Sequence, residues 1–350
     1  MKRLLKWLGL SLLLLIAIIA GPILYVETMC RGEALTQEQA QYITDPANQR
    51  PEARTYMVYP EWHIVYAYEG YAEALKTGHA HNFPYLTAIT GFWSATCGLT
   101  EQADQLGEAG FNSKATIYTI GASFTLEMLF KAAYEETIGR LFSAFAPSPQ
   151  DGIEAEMAQD YATFLQQVPW YKYDFPAWSE KLWAAEPVAT RGWERRIALG
   201  LEWGAKTQYA KVIANAAAGL GADELRMQVA ITGVDATYLA SLPDVTVVDQ
   251  SGDTLIAEVA RYRVFTTLAQ TIANADGQFL EIAGNDDILI SYLGATPPEI
   301  PDAANIISST TRVGFAEQNR YLIATKVAGL TQTLNTLAGQ RGGLEHIYDY

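Results

Sequence analysis

Three of the four histidines, His63, His79 and His81, share one stretch with Glu61, Glu69 and Glu73. Imidazole and carboxylate together ligate zinc and iron. On a helix Glu69 and Glu73, four apart, share a face; His63 and Glu69, six apart, do not. In an extended segment His79 and His81 point the same way and form a two-nitrogen clamp. The candidate metal set is therefore Glu69, Glu73, His79 and His81, with His63 beside it. The Glu-x-x-His pairs of a di-metal carboxylate bundle are missing, and the plainer reading is a helix end carrying polar histidines.

Two further constellations carry charge or aromatic surface. Glu127, Lys131 and Glu135 stand at i, i+4, i+8, and Glu136 and Arg140 repeat the spacing, the favourable order for pairing along a helix. They read as a paired face or as a buried charge relay. Residues 169–204 hold Trp170, Trp178, Trp183, Trp193 and Trp203, with Arg191, Arg195 and Arg196 beside Trp193. Trp62, Trp170, Trp178, Trp193 and Arg195 are the candidates for an apolar ligand groove or a partner surface. The competing reading is a tryptophan-rich helix core with solvated arginines.

Other chemistries lack their motifs. The chain has no phosphate-loop, dinucleotide, nucleophile-elbow or His-Glu-x-x-His signature. Asp286 and Asp287 occupy a turn, where such residues belong for backbone reasons. The reading leans away from an enzyme, and no cofactor is expected.

These residues must be positioned by elements that begin at a membrane. Residues 7–26, WLGLSLLLLIAIIAGPILYV, are uncharged. As a helix they extend about 30 Å, the thickness of a bilayer core. Lys2, Arg3 and Lys6 precede them, which keeps residues 1–6 cytoplasmic and sends the rest outward. No small-x-small cleavage site follows, so the run reads as a signal-anchor rather than a removed signal peptide. The expected location is the inner (cell) membrane, single-pass, with an extracytoplasmic or periplasmic body.

Composition narrows the partners. Of 350 residues 49% are hydrophobic, enough for a sizeable core. Net charge is −15 overall and −18 beyond the three N-terminal cations. So acidic a body excludes nucleic acid as a partner. The bilayer, through residues 7–26, and a membrane protein are the expected partners. Cys30 and Cys97 either form a bridge, which an oxidising compartment permits, or remain two thiols, one of them buried.

Periodicity divides the rest. Residues 27–55 form a polar exit segment, and 56–222 a mainly α-helical, aromatic-rich domain. Its first helix opens near Pro60 and carries aromatics on two faces, as a helix buried between neighbours would. Residues 82–99 and 114–145 are helical, 151–168 helical, and 191–220 one long helix ended by Gly219 and Gly221. At 225–295 the period turns to alternation, and the order βαββαβ is that of a ferredoxin-like domain. Strands 278–282 and 288–293 read as a hairpin through Gly284. Residues 296–350 read as a linker, an extended stretch over 306–314, a helix over 316–339, and a tail. No repeat at solenoid period is visible. The expected fold class is α+β: a transmembrane helix, a helical domain, and a small ferredoxin-like domain with a C-terminal helix. The functional expectation is a membrane-anchored accessory, assembly or scaffold protein, with metal chemistry or lipid binding as alternatives.

Overall fold

The computed structural model describes residues 2–33, 40–107, 111–217, 225–315 and 317–350. The chain is mixed α+β, with a helical body and two four-stranded antiparallel sheets. Helix α1 runs Lys2–Met29. Among the described residues no helix is long and apolar enough to cross a membrane. The span expected at 7–26 falls partly outside that description, because side chains at six of its positions, Trp7 and Leu8 among them, are not described. Where α1 is described its surface is apolar, with Leu10, Leu13, Ile16 and Leu24 exposed.

Helix α2 (Arg54–Thr77) is the axis of the body. It starts before Pro60, which lies inside it and removes one backbone donor. Both of its aromatic faces are buried, as the two-faced pattern requires. Around it pack α3 (Tyr85–Gln105), α4 (Phe111–Tyr134) and α6 (Pro149–Leu165). A π-helical turn, Glu135–Gly139, joins α4 to the short α5 (Arg140–Phe142). Helices α7 (Phe175–Ala184) and α8 (Ala189–Ala217) complete the layer. The helix end expected at Gly219 and Gly221 lies outside the described residues.

The α3–α4 contact is close because Gly121 has no side chain. A Cβ there would lie 2.3 Å from the Phe92 ring. Cys30 and Cys97 are joined in a disulfide, which fastens the end of α1 to α3.

The β region contains one topology twice. The first unit is β1 (Arg226–Thr232), α9 (Ala236–Ser241), β2 (Val245–Ser251), β3 (Thr254–Ala260), α10 (Arg263–Asn274) and β4 (Gln278–Ile282). Its sheet order is β2-β3-β1-β4. The second is β5 (Asp287–Gly294), β6 (Ala304–Thr311), β7 (Asn319–Lys326), α11 (Leu330–Ala338) and β8 (Gly343–Tyr348), with sheet order β6-β7-β5-β8. Numbered within each unit, both sheets read second, third, first, fourth. Irregularities fall at equivalent places too. The register between first and fourth strands shifts at Ala230/Ile231 and again at Ser291/Tyr292. That between second and third strands shifts at Val247/Asp249 and at Ile306/Ser308. Bulges are designed features of a strand pair, so their recurrence marks an internal duplication. In the second copy a linker replaces the first helix.

Three expectations are corrected here. Strands β4 and β5 do not form a hairpin: they belong to different sheets. Residues 316–339 are not one helix, since β7 precedes α11. The C-terminal tail is strand β8. Alternation explains the second error: Tyr321 and Ile323 face one core, while Leu322 faces the other.

Helices α10 and α11 and one face of each sheet enclose a common apolar core. The opposite face of the second sheet joins the helical core through Leu289, Leu322 and Tyr348. Thr55, in the first turn of α2, locks this junction. Its hydroxyl donates to the Tyr348 carbonyl (2.6 Å) and accepts from the Leu289 amide (3.0 Å).

Candidate functional site

The expected metal set is not assembled. Glu69 accepts from Gln166 Nε2 (2.7 Å) and faces Arg312, and Glu73 lies beside Lys76. His79 and His81 stack on each other at 5.3 Å, near the surface. His63 is buried against Gly91, and its Nε2 donates to the Ala88 carbonyl (2.9 Å). Burial lowers its pKa to about 4, so the ring is neutral. Glu61, at the protein surface, joins none of them.

The tryptophan set is dispersed as well. Trp62 stacks on His346 at 3.6 Å, and Trp170 meets Tyr209 at 5.1 Å. Trp178 lies beneath Lys181, and Trp193 is exposed with the Arg196 guanidinium near its ring. Arg195 is wholly buried and Arg191 nearly so, against the expectation of solvated arginines.

What the structure does gather is an ion network between α4, α6 and α8. Arg195 projects from α8 and meets three carboxylates. Its guanidinium lies 2.9 Å from Glu135, 3.2 Å from Glu154 and 2.6 Å from Glu194. Arg191, one turn earlier, pairs with Asp151 (2.6 Å) and Glu194 (2.9 Å). Two turns further along α8, Glu202 pairs with Lys131 (2.7 Å) and Lys206 with Glu127 (2.7 Å). Glu127, Lys131 and Glu135 therefore pair across to α8 rather than along α4, which corrects the i, i+4 reading. Glu136 and Arg140 do pair along their own helix. Tyrosines add further donors to these carboxylates: Tyr68 donates to Glu127, Tyr71 to Glu154 (2.6 Å) and Tyr134 to Glu194.

The π turn places Glu135 in this network. Such bulges recur at functional positions in helices. Gly139 is required there, because a Cβ would sit 2.1 Å from the Glu135 carboxylate and 3.5 Å from Arg195. Electrostatics follow from the census. The network holds six carboxylates and four cations. Burial raises the Glu135 pKa, although Arg195 opposes it. Burial works against charge at Glu202 also, but Lys131 and Lys206 outweigh it and hold that pKa low. The arrangement fixes the spacing of three helices.

A second cluster lies where the exit segment crosses the two β units. Glu52, Asp286 and Asp287 bring carboxylate oxygens within 4.8 Å of one another. A cleft of about 370 Å³ opens beside them, lined by Tyr42, Glu281 and Lys326 among others. Three carboxylates at this spacing suit a hard cation. The Lys326 ammonium bridges two of them, at 2.9 Å from Asp286 and 2.6 Å from Asp287. Burial and a hydrogen bond shared with Asp286 raise the Glu52 pKa to about 8. A proton on Glu52 and the Lys326 ammonium thus offset two of the three charges. Glu281, at the rim, accepts the backbone amides of Gln41, Tyr42 and Ile43 and pins the exit segment to β4.

Sequence reasoning named Arg195, Glu127, Lys131 and Glu135 without joining them. It overlooked Glu154, Glu194, Glu202 and Lys206. The available signal was their helical spacing on α8: Arg191, Arg195, Glu202 and Lys206 share a face whose ionised residues have no apolar reason to be there. Comparison with protein-family models, with curated proteins and with solved structures finds no match to this chain.

Proposed function

We propose that this chain is a membrane-tethered extracytoplasmic protein that serves as an accessory or scaffold subunit of a membrane complex. One observation carries the reading: the uncharged helix passes into the body without a linker. α1 continues to Met29, Val26 is buried in the helical core, and Cys30 is bonded to Cys97. Glu27 accepts a hydrogen bond from Tyr118 of α4 (2.6 Å). A tether joined this rigidly fixes the body's orientation, a property that a positioning subunit needs. The ion network supports the same reading, because paired buried charges specify one helix arrangement. Within the body we read residues 225–282 as ferredoxin-like; the strand order and the βαββαβ sequence support this.

The test is purification of the full chain from membranes in mild detergent, with its mass measured by light scattering. A stoichiometric second polypeptide is the expected result. A particle with the mass of one chain overturns the assembly role, and recovery in the soluble fraction overturns the tether.

A further inference from the structure

The helical body is acidic, yet one sector of its surface carries no charge. Residues 82–100, which include most of α3, contain no ionisable acid or base other than Tyr85, Cys97 being held in the disulfide. The outward positions of α3 there include Leu86, Thr90 and Ser94, all exposed. Residues 115–126 of α4 lack Asp, Glu, Lys and Arg as well. The outward positions of α4 include Thr119, Phe130 and Ala133. Glu127 and Lys131, which interrupt α4 in sequence, turn away to Lys206 and Glu202 on α8.

This sector borders α1. Glu27 reaches Tyr118, Cys30 is bonded to Cys97, and Gly32 lies against Glu101 and Asp104. Just past the end of α1, the chain from residue 30 to 32 thus follows α3 from 97 toward 104. Charged groups mark that end: the Glu27–Arg31 pair and the Asp104–Lys114 pair. From there back along α1, toward Ile23 and Ile16, the helix is uncharged, and the uncharged stretch of α3 and α4 extends as far as the exposed Glu136–Arg140 pair.

The geometry points to the lipid bilayer as the occupant of the α3–α4 sector. We infer that this face rests in the headgroup and acyl boundary of the leaflet through which α1 leaves. The inference relies on the spanning reading of residues 7–26. Given that span, Ile23 and Val26 lie at its outer end while packed on the helical core. An α-helix is only about 10 Å across, so the surface beside those residues cannot stand clear of lipid. Met29 is still helical and Cys30 is covalently held, which leaves no slack to lift the body away. An uncharged face also avoids the repulsion that an acidic body would meet at an anionic leaflet.

The experiment uses the full chain, with its native disulfide, reconstituted in phosphatidylcholine–phosphatidylglycerol nanodiscs. A polarity-sensitive fluorophore is placed singly at Leu86→Cys, Phe130→Cys, Leu13→Cys on α1, and Asp253→Cys in the exposed β2–β3 turn. Quenching by doxyl-labelled lipid is compared with quenching by aqueous iodide. Labels at 86 and 130 are expected to be quenched several-fold more by lipid than the label at 253, and to be shielded from iodide. Iodide access at 86 and 130 with lipid quenching at 13 overturns the inference and leaves the tether standing. Loss of lipid quenching at 13 as well overturns the tether itself. Shielding at 86 and 130 in native membranes but not in nanodiscs replaces lipid by a protein partner and also overturns the inference.

Discussion

Gly70, in the middle of α2, and Gly314, between β6 and β7, touch backbone to backbone: a Cβ on Gly314 would lie 2.5 Å from the Gly70 Cα. Gly314 also has φ of +82°, and a Cβ on Gly70 would lie 2.2 Å from the Val313 carbonyl oxygen. The contact seats the second sheet on the helical body. Gly314→Ala should cost about 2–4 kcal/mol through backbone strain and overpacking. Urea unfolding of the purified chain measures it, and an unchanged midpoint would show that the seat is soft.

Arg195 answers three carboxylates with no exposed surface of its own. Truncating it to alanine leaves Glu135 and Glu154 buried without that cation, and Glu194 with Arg191 alone, at a cost of about 3–5 kcal/mol. Arg195→Met combined with Glu135→Gln and Glu154→Gln should recover much of that loss. Thermal unfolding of the two variants separates charge pairing from simple packing, since a purely steric role predicts no recovery.

Glu52 sets a pH dependence. Its pKa in the folded chain is about 8, whereas an unfolded glutamate titrates near about 4.3. The folded state therefore binds this proton more tightly. The contribution is fully present below the unfolded value and is lost as pH rises through the folded one. Stability should fall between pH 5 and pH 8, windows set by those two values. Glu52→Gln, which keeps an acceptor for the Asp286 and Asp287 amides, should flatten the slope. An identical slope in wild type and variant would remove Glu52 as its source.

The Cys30–Cys97 bridge closes a loop with a sequence separation of 67. Loop-closure entropy for that length is worth about 4 kcal/mol. Cys97→Ser, or reduction, should lower stability by that order and expose the exit segment to protease. Limited proteolysis of reduced and oxidised protein reports it directly; equal cleavage would mean that packing alone holds the tether.

Local signals carried the first β unit and failed on the second, for identifiable reasons. The strands from β1 to β4 alternate visibly, and turns such as Ser251–Gly252–Asp253 punctuate them. In the second unit no helix follows β5, so the βαβ rhythm disappears. Strand β8 is six residues at the chain end, and it exists because β5 offers it an edge to pair with. The aromatic pattern of α2 was legible because a helix writes both faces into one short segment. The ion network was not, because its partners come from helices far apart in sequence. Charges at i, i+4 on α4 imitate a local pairing that the fold does not use. Burial of Arg195 is decided by what surrounds α8, and no window of sequence contains that.

The duplicated β unit gives its two copies different freedom. In the second copy β5 is covered on both faces, one by the shared core and one by the helical body, so a substitution on either side is felt by a packed neighbour, while the outer strand β6 keeps Asn305, Ile306 and Ser309 exposed. The first copy keeps one sheet face toward solvent, with Thr246, Val248 and Gln250 exposed on its outer strand. The unit without a helix after its first strand is thus the one wedged against the helical body, while the unit that has one leaves its outer strand open to change.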